Sequence, residues 1–316
     1  MFTVLNVIGP VFLLVAFGYM SVRLRLYPEA GIGGLISFVN NFATPCLLFQ
    51  AMLSVDFAKT FNAQYLLSFY VGALVCFALS YVIARVFFKR RPGESASVGF
   101  SSFYTNTVLL GLPIIQRAYG DDALPLLYAI IGFHAPLLMS FGTIVMELAR
   151  RDGEGLATAI PKALFRVVRN PLLIGIALGI SLNLSGFELP VLLDDVTKMM
   201  SRAVLPAALF GLGGALVQYK LRDSWGQAFV ASMFKLVLHP IIALTLSHYV
   251  FELQWELVRV AVLTAAVPAG LNVYIVASLY NRAVDVAANT VLQSTVLGVF
   301  SISAWLLILE ALAPIP

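Results

Sequence analysis

The sequence predicts an all-α membrane protein of ten transmembrane helices, arranged as two inverted five-helix repeats. Three observations lead there. Hydrophobic residues fill 60% of the 316 positions and charged ones only 11%, against roughly one-quarter charged residues in an ordinary soluble domain. Long runs without Asp, Glu, Lys or Arg recur from end to end. Landmarks of the first half also reappear, in order, 161 positions later.

The charge-free runs cover residues 1–22, 30–55, 60–84, 95–116, 123–146, 170–187, 203–219, 260–281 and 286–309. A tenth span, 224–251, is interrupted only by Lys235. A helix needs about 20 apolar residues at 1.5 Å each to cross a hydrocarbon core about 30 Å thick, so each run is read as one crossing. A β-barrel would show segments of about ten residues with alternating polarity instead. The longest polar stretch, 150–169, is read as a cytoplasmic linker between a first repeat, 1–149, and a second, 170–316. No Lys or Arg precedes Arg23, so the first span lacks the basic start of a cleaved signal peptide and is expected to stay in place. Cys46 and Cys76 both fall inside spans and are read as packing residues, without a disulfide or a metal centre.

The net charge of +4 is informative through its distribution and carries no nucleic-acid footprint. Loops after odd-numbered spans hold fourteen Lys and Arg residues, among them Arg85, Lys89, Arg90, Arg91, Arg150, Arg151, Lys162, Arg166, Arg169, Lys220 and Arg222. Loops after even-numbered spans hold five: Lys59, Arg117, Lys198, Arg202 and Arg259. The positive-inside rule then places odd loops in the cytoplasm and both termini outside.

Sliding the chain against itself brings Pro10 onto Pro171, Pro45 onto Pro206, Phe49 onto Phe210 and Tyr119 onto Tyr280. A duplicated unit of five spans must enter the membrane upside down the second time, because five is odd. Inverted repeats of this kind build two exchangeable gates around one site. The fourth span of each copy reads as interrupted, with Thr105-Asn106-Thr107 before Gly111-Leu112-Pro113 in one and Pro268-Ala269-Gly270-Leu271-Asn272 in the other. Proline removes a backbone donor, and glycine and asparagine tolerate unwound geometry. Broken helices at membrane depth are tolerated only around a cavity, and a half-helix starting at a break favours an anion there. The competing reading is that these prolines merely kink packed helices. Pro45 and Pro206 are read that way, as kinks shaping a scaffold, with Asn40 and Asn41 facing the cavity.

At the interrupted spans the sequence resembles the auxin efflux carrier family, which includes plant auxin carriers and bacterial carriers such as those for malonate. Asn106 to Pro113 with Tyr119-Gly120 looks like the family's first crossover helix, and Val267-Pro268-Ala269-Gly270 with Tyr280-Asn281 like the second. Plant members carry proline where this chain has Thr105, which implies a softer first break. The long cytoplasmic loop of many plant carriers is absent, which points to the compact bacterial type. The resemblance covers the whole chain. It implies a fold similar to bile-acid symporters and sodium/proton antiporters, in which helices 1, 2, 6 and 7 form a dimerising scaffold. Helices 3–5 and 8–10 would form a transport domain that moves like an elevator. It further implies a multi-pass protein of a bacterial inner membrane and a weak organic acid, malonate-like or auxin-like, as substrate.

The expected substrate ligands are Asn106, Thr105, His134, Pro268, Gly270 and Asn272, with Gly111, Pro113, Pro45 and Pro206 shaping the helices. Lys235 is the only Lys, Arg, Asp or Glu deep within a span. Three roles compete for it: pairing with an anion, compensating the negative end of a broken helix, and snorkelling to the interface. Gln293, Ser294 and Thr295 are read as polar glue between helices. No metal or cofactor is expected, and coupling to protons or sodium stays open. His134, His239 and His248 form no persuasive catalytic cluster, which argues against an intramembrane enzyme. A secondary carrier of a small organic anion is the leading reading, with a channel or a membrane receptor for a small solute as the alternative.

Overall fold

The computed structural model describes residues 2–53, 62–149, 165, 169–218 and 224–314. The linker 150–169, apart from Phe165 and Arg169, lies outside the described residues, as do Lys59, Lys220 and Arg222 of the charge count. The described chain is helical, with one isolated backbone bridge and no strand among those residues. In chain order the helices are α1 Phe2–Arg23, α2 Glu29–Leu53, α3 Ala63–Val86, α4 Pro92–Phe103, α5 Leu112–Tyr119, α6 Asp121–Ala149 and α7 Pro171–Ser185. They continue with α8 Val191–Arg202, α9 Val204–Leu216, α10 Trp225–Val250, α11 Trp255–Ala266, α12 Asn272–Tyr280 and α13 Val284–Leu312. Counting contiguous α8 and α9 as one, seven helices among the described residues are long and apolar enough to cross a membrane.

Their outward faces are apolar: Leu13 on α1 is 71% exposed and Phe300 on α13 is 72% exposed. In water such surface would forgo about 25 cal/mol per Å², whereas lipid tails solvate it as well as another leucine would. The chain is therefore a multi-pass membrane protein.

Proline explains the local shape of three helices. Pro45, Pro113 and Pro240 each follow, by one residue, a five-residue π turn: Val39–Ala43, Thr107–Gly111 and Phe234–Leu238. A helical proline has no N–H and presses on the preceding turn. The wider turn absorbs the misfit, and the N–H before each proline reaches back five residues, Thr44 to Val39 O, Leu112 to Thr107 O and His239 to Phe234 O. Pro206 stands in the first turn of α9, where its missing donor costs nothing.

Two packed groups make up the bundle. In one, α1 lies on α9, α7 and α8 lie on α2, and the first half of α2 also touches α9. In the other, α3 packs on α4, α10 and α11, while α13 packs on α10, α11, α12 and α4. Glycine allows backbone to touch backbone in the first group. A Cβ at Gly18 would overlap the carbonyl of Phe210, and one at Gly179 the carbonyl of Phe49. Gly18 and Gly179 are 161 positions apart, as are Phe49 and Phe210, so one contact is the other with the halves exchanged.

The seventh expected span was drawn from residue 203, with the charged stretch before it as a loop. That stretch is helical, α8, and leads into α9 through a turn at Ala203. Its charges pair along the helix instead of breaking it: Lys198 Nζ lies 2.6 Å from Asp194 Oδ2, one turn away. Gln50 of α2 donates to Asp194 Oδ1 at 3.0 Å.

Candidate functional site

Two helices stop and restart inside the bundle. At the end of α4, Tyr104 adopts φ −83°, ψ 109° and Asn106 φ −80°, ψ 61°, after which the π turn Thr107–Gly111 leads into α5. At the end of α11, Val267 is extended, with φ −66° and ψ 140°, as the residue before a proline is required to be. The chain becomes helical again at Leu271 and continues as α12.

The two extended segments meet antiparallel, with Thr105 opposite Ala269. Asn106 N–H donates to Pro268 O at 2.9 Å and Gly270 N–H to Tyr104 O at 3.0 Å. The remaining amides at the bridge turn outward to side chains: Thr105 N–H donates to His134 Nε2 at 3.2 Å, and Ala269 N–H to Ser294 Oγ at 3.1 Å. Every one of these four donors is thus satisfied where no water would be at hand. A softer first break was expected from Thr105 standing in place of proline. The chain leaves the helix completely there, because His134 accepts the amide that a proline would lack.

Lys235 is fully buried behind the second break. Its ammonium donates to Ala265 O, at the last turn of α11, and to His239 Nδ1 at 3.3 Å. His239 Nε2 faces Phe69 O at 2.9 Å. A carbonyl only accepts, so Nε2 carries the ring proton and Nδ1 is free to accept from Lys235. The cation sits where unpaired carbonyls leave about half a negative charge.

In front of the breaks lies a cavity of about 60 Å³. Both restarted helices contribute their first residues to its wall, Asn106, Thr107, Val108 and Leu109 from one and Leu271 and Asn272 from the other. Thr105, Gly270, His134, Tyr104, Asn40, Thr44, Ile131 and Leu172 complete the lining. Four buried polar atoms among these residues have no partner among the described residues: Asn106 Nδ2, His134 Nδ1, Thr105 Oγ1 and Thr44 Oγ1. Buried polar groups are ordinarily paired, and a cluster of orphans calls for something to pair with. Because His134 Nε2 accepts from Thr105, the ring is neutral and its proton is on Nδ1, the orphan donor. The ring is held by aromatic neighbours, with centroids 4.7 Å from Tyr104 and 5.9 Å from Phe69.

Five of the six expected ligands, Asn106, Thr105, His134, Gly270 and Asn272, line this cavity. Pro268 does not: its carbonyl is taken by Asn106 and its ring packs on Gly298. Gly111 N–H closes the π turn on Asn106 O at 3.0 Å, and Pro113 starts α5. Asn40 lines the cavity, but Asn41 is exposed and donates to Ser37. Thr295 and Gln293 bond to the Val291 and Trp225 carbonyls, away from the wall. Sequence reasoning passed over Thr44 and Tyr104. The signal for Tyr104 was its position beside the break; its hydroxyl accepts from Asn272 Nδ2 at 3.1 Å.

Residues 3–306 match the membrane transport protein family. A relative from Rhizobium meliloti named "Putative malonate transporter" is 25% identical over 305 residues, 96% of this chain and 94% of its own length. Auxin efflux carrier component 8 of Arabidopsis thaliana is 23% identical, with 95% of this chain and 96% of its own covered. The lysosomal cholesterol signaling protein of Mus musculus is 24% identical over 93% of this chain but only 36% of its own length.

Proposed function

Since the chain belongs to the membrane transport protein family, we propose that it is a secondary carrier of a small organic anion. The observation that carries this reading is the orphan set at the paired breaks. Asn106 Nδ2 and His134 Nδ1 are hydrogen-bond donors, and the hydroxyls of Thr105 and Thr44 can donate too. They stand beside two helix N-termini, whose free N–H groups and partial positive charge favour an anion. A carboxylate, acceptor-only when ionised, is the complement of such a wall. The relatives named for malonate and for auxin are named for carboxylic acids, which agrees with this chemistry.

In this reading α4 with α5, and α11 with α12, are crossover helices. With the shorter apolar helix α7, they bring the seven long spans to ten crossings, in two inverted five-helix repeats split at the 150–169 linker. The exchanged Gly18–Phe210 and Gly179–Phe49 contacts support the repeat. The group around α1, α2, α7 and α9 is the scaffold, expected to dimerise. The group around α3, α4, α6, α10, α11 and α13 is the transport domain, which carries the site across as an elevator. Both termini face outward across a bacterial plasma membrane. Lys235 serves the fold of the break, and its bond to Ala265 O supports that assignment over direct pairing with substrate.

The test is a thermal-shift screen of the detergent-purified protein against mono- and dicarboxylates, with hits repeated as counterflow in liposomes. A ligand raises the melting temperature by mass action, and only a carrier exchanges label across the membrane. Shifts from cations or neutral solutes alone would refute the anion reading, and binding without counterflow would favour a receptor.

A further inference from the structure

We infer that the site takes one negative charge at a time: a monocarboxylate, or a dicarboxylic acid in its half-ionised form. This rests on the anion reading above and adds a charge state to it. Among the described residues no Lys, Arg, Asp or Glu lines the cavity. Lys235, the one deeply buried cation among the described residues, is held at the second break by Ala265 O and His239.

His134 cannot supply a second positive charge while the bridge is intact. Its Nε2 lone pair accepts the Thr105 amide, and an imidazolium would set N–H against N–H. What remains is a wall of neutral donors and two helix N-termini. The helix entering α5 runs from Thr107 to Tyr119 and α12 from Asn272 to Tyr280, long enough for each to present about half a positive charge at its start. Together they offer about one unit, the match for a single carboxylate. Asn106 Nδ2, only 5% exposed, and His134 Nδ1, 2% exposed, supply directional donors within that field. A second carboxylate would enter a low-dielectric cavity whose lining also includes the apolar Ile131 and Leu172, and find no countercharge.

Malonate and its monomethyl ester separate the possibilities, because the ester keeps one charge at every pH above its single ionisation. Affinities for both are measured by thermal shift and by competition in counterflow, from below to above the second ionisation of malonate. Binding of the half-ionised form alone predicts that the malonate-to-ester affinity ratio falls about tenfold per pH unit above that ionisation. Taking the ratio cancels any titration of the protein itself. A ratio that stays level or rises would overturn the inference while leaving the anion reading standing. Silence from every carboxylate, whatever its charge, would overturn both.

Discussion

Replacing Lys235 with Met tests what holds the second break together. Methionine keeps an unbranched stem of similar length and fills the same space, so packing is not the variable. Two buried acceptors lose their donor, Ala265 O and His239 Nδ1. Each buried acceptor left unmade costs about 1–3 kcal/mol, which gives about 2–6 kcal/mol for the pair. An apolar isostere is often harmless when a buried ion leaves together with its partners, but a backbone carbonyl cannot leave. The expected loss is a large share of the roughly 5–15 kcal/mol that keeps a typical domain folded. Thermal melting of the detergent-purified variant should show a lower midpoint, and liposome counterflow should be lost. Wild-type melting together with wild-type exchange would refute the reasoning, since the break would then stand without its cation.

Asn106→Asp exchanges an orphan donor for an acceptor and adds a negative charge beside the two helix starts. Carboxylate binding in the thermal-shift assay should fall at least tenfold, well beyond the loss in Asn106→Ala. His134→Phe keeps a ring among Tyr104 and Phe69 but orphans the Thr105 amide, at a cost of about 1–3 kcal/mol; a lowered midpoint with weakened binding is expected, and unchanged values for both would remove His134 from the site. Gly179→Val sets a branched side chain against the Phe49 carbonyl and should destabilise by about 1–3 kcal/mol through overpacking. The same substitution at exposed Gly33, where a Cβ meets nothing, serves as the control.

The breaks were legible because Asn106, Gly111 and Pro113 in one run, and Pro268, Gly270 and Asn272 in the other, cluster as conformational punctuation inside charge-free spans. Four of the expected ligands, Thr105, Asn106, Gly270 and Asn272, border the cavity for the same reason: a break fixes what stands beside it; the fifth, His134, comes from α6 and was singled out as a histidine in mid-span. Thr44 escaped notice because a threonine in an apolar span looks the same whether it bonds its own helix or faces a void. Pro268 was named among the ligands, yet it is not in the cavity lining, its carbonyl taken by Asn106 and its ring packed on Gly298, contacts that linear order does not encode. Helix α8 was missed because Asp194, Asp195, Lys198 and Arg202 read as a solvated loop, while only the fold reveals that Asp194 pairs with Lys198 along a helix and accepts from Gln50. Moved by 161 positions, Glu29–Leu53 falls on 190–214, so the repeat carried the α8–α9 boundary that local composition obscured.

The glycine contacts at Phe210 and Phe49 have a mechanical meaning. Where two helices touch backbone to backbone, a shift of one residue along either axis brings a side chain against a carbonyl, and the pair has no smooth path to slide. The α1–α9 and α2–α7 seams are welds in that sense, with steep walls in every direction. Any large rearrangement of the bundle therefore has to slip along other surfaces, and each welded pair travels, or stands still, as one piece.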